Sequence, residues 1–516
     1  MSELGFWTLA QSDPTHLALV EPDGHEITAG ELLAAANQLV HGLRALGLQR
    51  GDCIATVLPN RAATIELYLA ATQAGWYITP INHHLTGPEI AYIVKDSDAK
   101  AFFGAAPFAA ACEAAADEIG FPREGRFALG PVPDFRSYDD LKRGQPSTMP
   151  SERSAGQVMN YTSGTTGRPK GVRRALSEAD PDATSSMVAF FLAMFGISPG
   201  GDGVHLTGSP LYHTAVLMFT GSSLHFGHTV VLMDKWTPER CLEVIAKYRV
   251  TTTHMVPTQF HRLLALPEEV KRRYDVSSMR HMIHAAAPCP VDVKRRMIEW
   301  WGPVIYEYYA ASEGGGTLVT PEEWLKYPGT VGRAWPTSEV RILDDEGRAC
   351  PPGEPGTVYM SLGPAHFEYH KDKEKTEANR REGFFTVGDV GYLNDDGFLF
   401  LCDRKIDMII SGGVNIYPSE IESVLLTHPK VGDVAVFGIP NEDWGEEVKA
   451  VIEPAEGVVV SPALTDEMMR FCVEKMAKYK CPRTIDFVEA LPRDPNGKLY
   501  KRKLRDPYWQ GRARAI

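Results

Sequence analysis

Two hydrophobic rhythms alternate along the first three-quarters of this chain. The stretch AATIELYLAATQAG, residues 62–75, reads as a helix, and the apolar run WYITPI follows it directly. The pairing recurs: PERCLEVIAKYRV leads into TTTHMVP, and PVDVKRRMIEWW leads into VIYEYYA. Helices that alternate with short β-branched or aromatic runs predict a multi-layer α/β fold with largely parallel sheets.

The texture changes after about residue 390. Short strands and turns in GYLNDDGFLFLCDRKIDMIISGG give way to a smaller α+β unit with two helices. The first opens at Pro418 after Tyr417, with Ile421, Val424 and Leu425 on its apolar face. A second is expected from near Thr465, with Asp466 and Glu467 in its first turn, where helix N-termini favour acids. Met468, Phe471, Cys472, Met476 and Tyr479 are expected to form its buried stripe. The boundary falls at Asp403, giving a large N-terminal domain, 1–403, and a small C-terminal domain, 404–516.

A chain of 516 residues exceeds what a single core usually organises, in keeping with two domains. Its net charge of −13 argues against general nucleic-acid binding, because an acidic surface repels phosphate backbone. KLYKRKLR, residues 498–505, is the local exception and by itself reads as a solvated helix face. The eight cysteines show no C-x-x-C spacing and read as reduced, mostly buried thiols. His281 and His284 lack acidic or thiol partners at metal-ligand spacing and read as structural. The N-terminus carries no signal-peptide pattern, and MVAFFLAMFGI from Met187 is too short to span a bilayer. A cytoplasmic protein without stable membrane insertion is expected; homodimerisation is left open.

One stretch stands apart. YTSGTTGRPKGVR, residues 161–173, gathers glycines, hydroxyls and cations in one run, as a floppy turn or a phosphate-wrapping loop would. It is not the G-x-x-x-x-G-K-[ST] loop, since Pro169 stands five residues after Gly164. The run Gly196-Ile197-Ser198-Pro199-Gly200 matches G-x-S-x-G formally. A hydrolase elbow there would need the N–H that Pro199 lacks.

The stretch closely resembles the phosphate loop of the adenylate-forming superfamily, which comprises acyl-CoA synthetases, peptide-synthetase adenylation domains and luciferases. Further motifs follow in that family's order: Tyr309-Ala310-Ala311-Ser312-Glu313, Thr386-Val387-Gly388-Asp389, Asp403-Arg404-Lys405, Ser411-Gly412-Gly413 through Pro418, and Pro492-Arg493-Asp494-Pro495-Asn496-Gly497-Lys498. The chain is most like a fatty acyl-CoA synthetase. Ala310 stands where the family has Gly, and Ser312 where it has Thr.

The resemblance implies an acid–thiol ligase using ATP, Mg²⁺ and coenzyme A on a small-molecule carboxylic acid. It assigns catalysis to Lys498, Glu313 and Thr166, with Glu313 and Thr166 on the metal. ATP or AMP falls to Thr162, Ser163, Gly164, Thr165, Thr166, Gly167, Lys170, Ala287, Tyr309, Ser312, Asp389, Arg404 and Lys498. Asp403 is the implied hinge. Gly412, Gly413, Trp444, Tyr479 and Lys480 are the implied CoA contacts, although Cys481 stands where an Arg could have met phosphate. His213, Ala285, Ala286 and Gly314 are the implied acid pocket. No acidic residue in these pocket segments would pair with an amino group, which favours a fatty or other bulky apolar acid. Transfer to a carrier protein, a luciferase-like oxygenase and a catalytically dead binding protein are the alternatives. Retention of Glu313 and Lys498 disfavours the last.

Overall fold

The computed structural model describes residues 4–162, 169–311, 313–361, 367–493 and 499–510. Within those limits the chain forms two compact units. One comprises Met1–Met255, Leu266–Ile283 and Pro364–Ala378; the other comprises Val256–Ala265, His284–Gly363 and Asn379–Ile516.

The first unit bears out the helix–strand alternation. The helix Ala62–Ala74 ends at Gly75, whose φ of 74° supplies the left-handed cap, and the strand Tyr77–Pro80 follows. Every residue of that helix is buried, as a helix apolar on all sides requires. Its single charge is accommodated: Glu66 accepts from the Tyr138 hydroxyl at 2.7 Å and the Lys142 ammonium at 3.0 Å. Cys53–Thr56 lies between Tyr77–Pro80 and Ala99–Ala105 in a wholly parallel sheet, extended by Arg126–Leu129, Arg136–Ser137 and Gln157–Val158. In another sheet Val204–Thr207 lies parallel between Thr229–Leu232 and Thr252–Met255.

The second unit is mainly antiparallel. Ile305–Ala311 pairs with Gly314–Val319, and Asp389–Leu393 pairs with Leu399–Arg404. Towards the C-terminus the long hairpin Val431–Asn441 and Gly445–Pro454 packs against two helices. The first, Pro418–Leu425, buries Ile421 and Leu425 as expected. The second runs Pro462–Lys475, three residues earlier than Thr465, because Ser461 caps it by accepting from the Leu464 amide and Pro462 sits in its first turn. Leu464, Met468 and Cys472 are its buried stripe, while Phe471 and Met476 are half-buried, Met476 standing just past the helix end. Tyr479 is not on that stripe: the helix stops at Lys475, and Tyr479 lies 56% exposed in the turn Lys478–Lys480.

The basic run near the C-terminus is also not a uniformly solvated face. Lys501 pairs with Glu422 at 2.8 Å and Arg505 with Asp407 at 3.1 Å, while Arg502 and Lys503 face water. All eight cysteines are free, five of them buried. No helix among the described residues is long and apolar enough to cross a membrane.

Candidate active site

The glycine-rich stretch springs from a β-hairpin in the first unit. Asn160–Thr162 and Lys170–Arg173 run antiparallel with Thr162 opposite Lys170 and Tyr161 opposite Gly171. Ser163, Gly164, Thr165, Thr166 and Gly167 lie outside the described residues. The hairpin base is anchored: the Tyr161 hydroxyl donates to Asp96 at 2.7 Å, and the Tyr92 hydroxyl donates to the Pro169 carbonyl at 3.1 Å. Lys170, the stretch's lysine, pairs with Asp372 at 2.9 Å. In the same unit His213 occupies the N-cap position of the helix Thr214–His225 without a side-chain capping bond, its ring 4.2 Å from that of Tyr212.

In the second unit the structure brings together three of the residues singled out for the nucleotide. Asp389 and Arg404 are cross-strand partners, with Nε 3.4 Å from Oδ1. The Tyr309 hydroxyl reaches the other carboxylate oxygen, Oδ2, at 2.6 Å. Burial and the adjacent Asp389 charge push the Tyr309 phenol well above its ordinary range, so it is a hydrogen-bond donor at any working pH. Glu313 is 6% exposed, a buried carboxylate at the turn after the strand Ile305–Ala311; Ser312 lies outside the described residues.

The strand His281–His284 leads into the three alanines of the implied acid pocket. Ala285 is buried, Ala286 exposed and Ala287 half-buried. Ala286 has a φ of 71°, a left-handed conformation unusual for a residue with a Cβ. Gly314, also at positive φ, opens the strand Gly314–Val319. Two residues on, Gly316 sits where a Cβ would come 2.4 Å from the Tyr309 carbonyl oxygen.

Gly412 and Gly413 form the two-residue turn between Ile409–Ser411 and Val414–Ile416, both at positive φ. Such a turn demands a left-handed backbone at both central positions. The Gly412 amide donates to the Trp444 carbonyl at 2.8 Å, and a Cβ on Gly412 would meet the Trp444 ring at 2.5 Å. Trp444 is 51% exposed. The structure therefore joins three of the five implied CoA residues, Gly412, Gly413 and Trp444. The other two stand apart from that contact: Lys480 is held by Glu420 at 2.6 Å, and Tyr479 faces solvent.

Asp403 is the penultimate residue of the strand Leu399–Arg404, next to Arg404, and is tied to the following helix. Its carboxylate accepts from the Ser419 amide at 2.9 Å and the Arg404 amide at 2.7 Å. Lys498 lies outside the described residues. Its flanks are fixed: the Arg493 Nη2 reaches Asp433 at 2.7 Å, and the Tyr500 amide donates to the Pro492 carbonyl at 2.8 Å.

Sequence reasoning missed three groups with charge in telling places. Lys294, fully buried, meets Glu307 at 2.7 Å, with His284 Nε2 3.4 Å from the same carboxylate oxygen. That cluster ties the strand carrying Tyr309 to the end of the strand that leads into Ala285. Asp433 and Asp372, the partners of Arg493 and Lys170, were missed as well. A lone Asp or Glu in a polar stretch carries no local signal, so only the fold identifies them.

Comparison with known proteins agrees across almost the whole chain. Residues 6–368 match the family model described as AMP-binding enzyme, and residues 420–498 match that of the AMP-binding enzyme C-terminal domain. The long-chain-fatty-acid–CoA ligase FadD13 of Mycobacterium tuberculosis is 32% identical over 98% of this chain and 99% of its own length. A feruloyl-CoA synthase from an Amycolatopsis species is likewise 32% identical, over 97% and 98%. Among solved structures, the o-succinylbenzoate CoA synthetase of Bacillus subtilis, in complex with its acyl-adenylate intermediate, superposes with a TM-score of 0.81. It is 28% identical, covering 98% of both chains.

Proposed function

The chain belongs to the AMP-binding enzyme family of adenylate-forming enzymes, and from that premise we propose that it converts a carboxylic acid, ATP and coenzyme A into an acyl-CoA thioester, AMP and pyrophosphate. Full-length similarity to enzymes named CoA ligases carries this reading. It is an acid–thiol ligase of the AMP-forming type. The relatives' acids range from long aliphatic to aromatic, and the neutral segment Ala285–Ala287 favours a fatty or other bulky apolar acid here.

In the first half-reaction the substrate carboxylate attacks the α-phosphate of ATP and pyrophosphate leaves. Tyr309 supplies the ring for adenine, and Asp389 accepts from the ribose hydroxyls with Arg404 beside it. Thr162, the segment 163–167 and Lys170 hold phosphate, while Lys498 stabilises the charge that spreads as the bond forms. Glu313 and Thr166 offer the hard carboxylate and hydroxyl oxygens that suit a magnesium ion, which would travel with the nucleotide and offset its phosphate charge.

In the second half-reaction the thiol of coenzyme A displaces AMP. The domain 404–516 swings about Asp403, withdraws Lys498 and presents Gly412, Gly413 and Trp444 to the pantetheine arm, with Tyr479 and Lys480 further out. His213, Ala285, Ala286 and Gly314 line the acid. A buried set of free cysteines suits a reducing compartment, in which the enzyme acts in the cytoplasm.

The test is AMP and pyrophosphate release over a panel of aliphatic acids of graded length and of aryl acids, each with coenzyme A and then with a phosphopantetheinylated carrier protein. The reading expects acid- and CoA-dependent AMP. AMP that appears only with the carrier protein replaces CoA as acceptor, and no AMP with any acid removes the reading.

A further inference from the structure

The polypeptide returns to the glycine-rich hairpin some two hundred residues later. Glu368–Tyr369 pairs antiparallel with Lys170–Arg173, placing Tyr369 opposite Val172 and Glu368 opposite Arg173. The His370 amide donates to the Gly171 carbonyl at 2.7 Å, so the strand runs on along the hairpin towards Lys170. Gly171 admits this close approach: a Cβ there would lie 3.0 Å from the Tyr161 ring and 3.3 Å from the His370 Cβ.

Side chains fasten the same segment. Lys371 donates to the Asp98 carboxylate and the Asp96 carbonyl, each at 2.8 Å. The Arg173 guanidinium lies 3.4 Å from the His370 ring nitrogen. Beyond them the Asp372 carbonyl accepts from the buried Thr376 hydroxyl at 2.8 Å, and that hydroxyl in turn accepts from the Tyr369 amide at 2.9 Å. The Asp372 amide donates to the Tyr369 carbonyl at 3.0 Å, so the backbone of Asp372 is held at both its amide and its carbonyl before its side chain meets Lys170 at 2.9 Å.

We propose that Asp372 is a positioning residue for the nucleotide site, holding the Lys170 ammonium in place for the phosphates of ATP. A lysine is a compact charge on a four-carbon stem and loses rotamer freedom when it binds an anion. An ammonium has three donors, and the bond to Asp372 uses one. The remaining donors stay available to phosphate oxygens, while the hydrogen bond to Asp372 raises the Lys170 pKa and keeps the group charged. Both side chains are about three-quarters buried, at 24% and 22% exposure, so this pair is not an ordinary surface contact.

The proposal rests on the ATP-dependent reading, and its test separates the two. MgATP and adenosine binding are measured calorimetrically, without acid, on the full chain as wild type, Asp372→Asn, Lys170→Met and the double variant. Asp372→Asn keeps the shape and removes the charge, and is expected to weaken MgATP by roughly tenfold, the scale of a lost charged hydrogen bond. Adenosine, which has no phosphate, should bind all four proteins alike. In the Lys170→Met background the Asp372 change should cost nothing further, since residues acting through one another are not additive. Asp372→Glu, with the same charge on a longer stem, should recover part of the loss.

Equal losses in both backgrounds, a parallel loss of adenosine affinity, or tighter MgATP binding by Asp372→Asn each overturn the proposal while leaving the ATP reading intact. The last outcome would make Asp372 a competitor of phosphate. Wild type that binds no MgATP removes the ATP reading and this inference with it.

Discussion

The Tyr309 hydroxyl donates to Oδ2 of Asp389 at 2.6 Å while Arg404 approaches Oδ1 at 3.4 Å, so one buried carboxylate is oriented by two neighbours on its own sheet or the next. A carboxylate held at both oxygens has little freedom left to lose when a diol binds. Tyr309→Phe keeps the ring and deletes one orienting bond that does not itself touch the nucleotide; it is expected to weaken MgATP binding about three- to tenfold, the range of an ordinary single hydrogen bond. Asp389→Asn, which weakens the acceptor itself, should cost more. Calorimetric titration of both variants checks the order, and a Tyr309→Phe protein with wild-type affinity would show that the hydroxyl does not serve the site.

Ala286 sits at φ 71°, a conformation that costs a residue with a Cβ about 1 kcal/mol and a glycine almost nothing. Ala286→Gly is therefore expected to leave thermal stability unchanged or slightly higher, the relief of strain offsetting the extra entropy of the unfolded glycine. Ala286→Leu keeps the strain and adds bulk; it should narrow the size of acid accepted while leaving MgATP affinity near wild type. Melting curves and an acid-panel profile read the two effects separately. An unaltered profile in the Leu variant takes Ala286 out of the pocket.

Histidines buried or half-buried in the first unit make its stability fall in mild acid. Burial pushes His205 and His225 down to about 3, and His83, His254 and His281 down to about 4. In the unfolded chain each titrates near 6.5. The folded state therefore keeps them neutral while the unfolded state takes up protons below that value. Their contribution is fully present above pH 6.5 and is lost as pH falls from there towards 4, by up to about 1.4 kcal/mol per pH unit for each group. Scanning calorimetry should show a transition that is flat between pH 8 and 7 and drops steadily from 6.5 to 5, with proton uptake on unfolding. A transition temperature unchanged between pH 7 and 5 contradicts this.

Much of the architecture was legible in local pattern. The helices Ala62–Ala74, Pro238–Tyr248 and Val291–Trp301, each followed by a strand, were visible because apolar periodicity and terminal Gly or Pro signals are local. The later start was placed wrongly where a capping Ser461 and first-turn Pro462 were outweighed by two acids further on. Tyr479 was misplaced because periodicity continues past a helix end that only the backbone reveals. Motifs located Tyr309 and Asp389, but not that they touch, which depends on bringing together residues 80 apart on strands of two different sheets. Lys294 with Glu307 was illegible for a different reason: a lysine in an amphipathic helix reads as solvent-facing until the fold buries it against a carboxylate.

The second half-reaction gives the sharpest separation of roles. Gly412 holds φ 58° directly under the Trp444 ring, and a Cβ there would press 2.5 Å from it. Gly412→Ala should therefore push the indole aside, and Trp444→Ala should remove it; both are expected to impair thioester formation from preformed acyl-adenylate and to raise the KM for coenzyme A. Neither change touches the groups assigned to ATP, so adenylation should proceed at a near wild-type rate in both. Lys498→Ala is expected to behave in the opposite way. Removing one positioned transition-state donor typically costs a hundredfold or more, so acyl-adenylate formation should fall on that scale while the thioester step survives. Asp403→Pro fixes φ at the proposed hinge and removes none of the groups assigned to adenylation, and should pattern with the Gly412 and Trp444 variants. Single-turnover measurement of each step places all four variants. Loss of both steps in Lys498→Ala would mean damage to the small domain as a whole. Retention of thioester formation in Trp444→Ala would leave the indole as packing for the Gly412–Gly413 turn and nothing more.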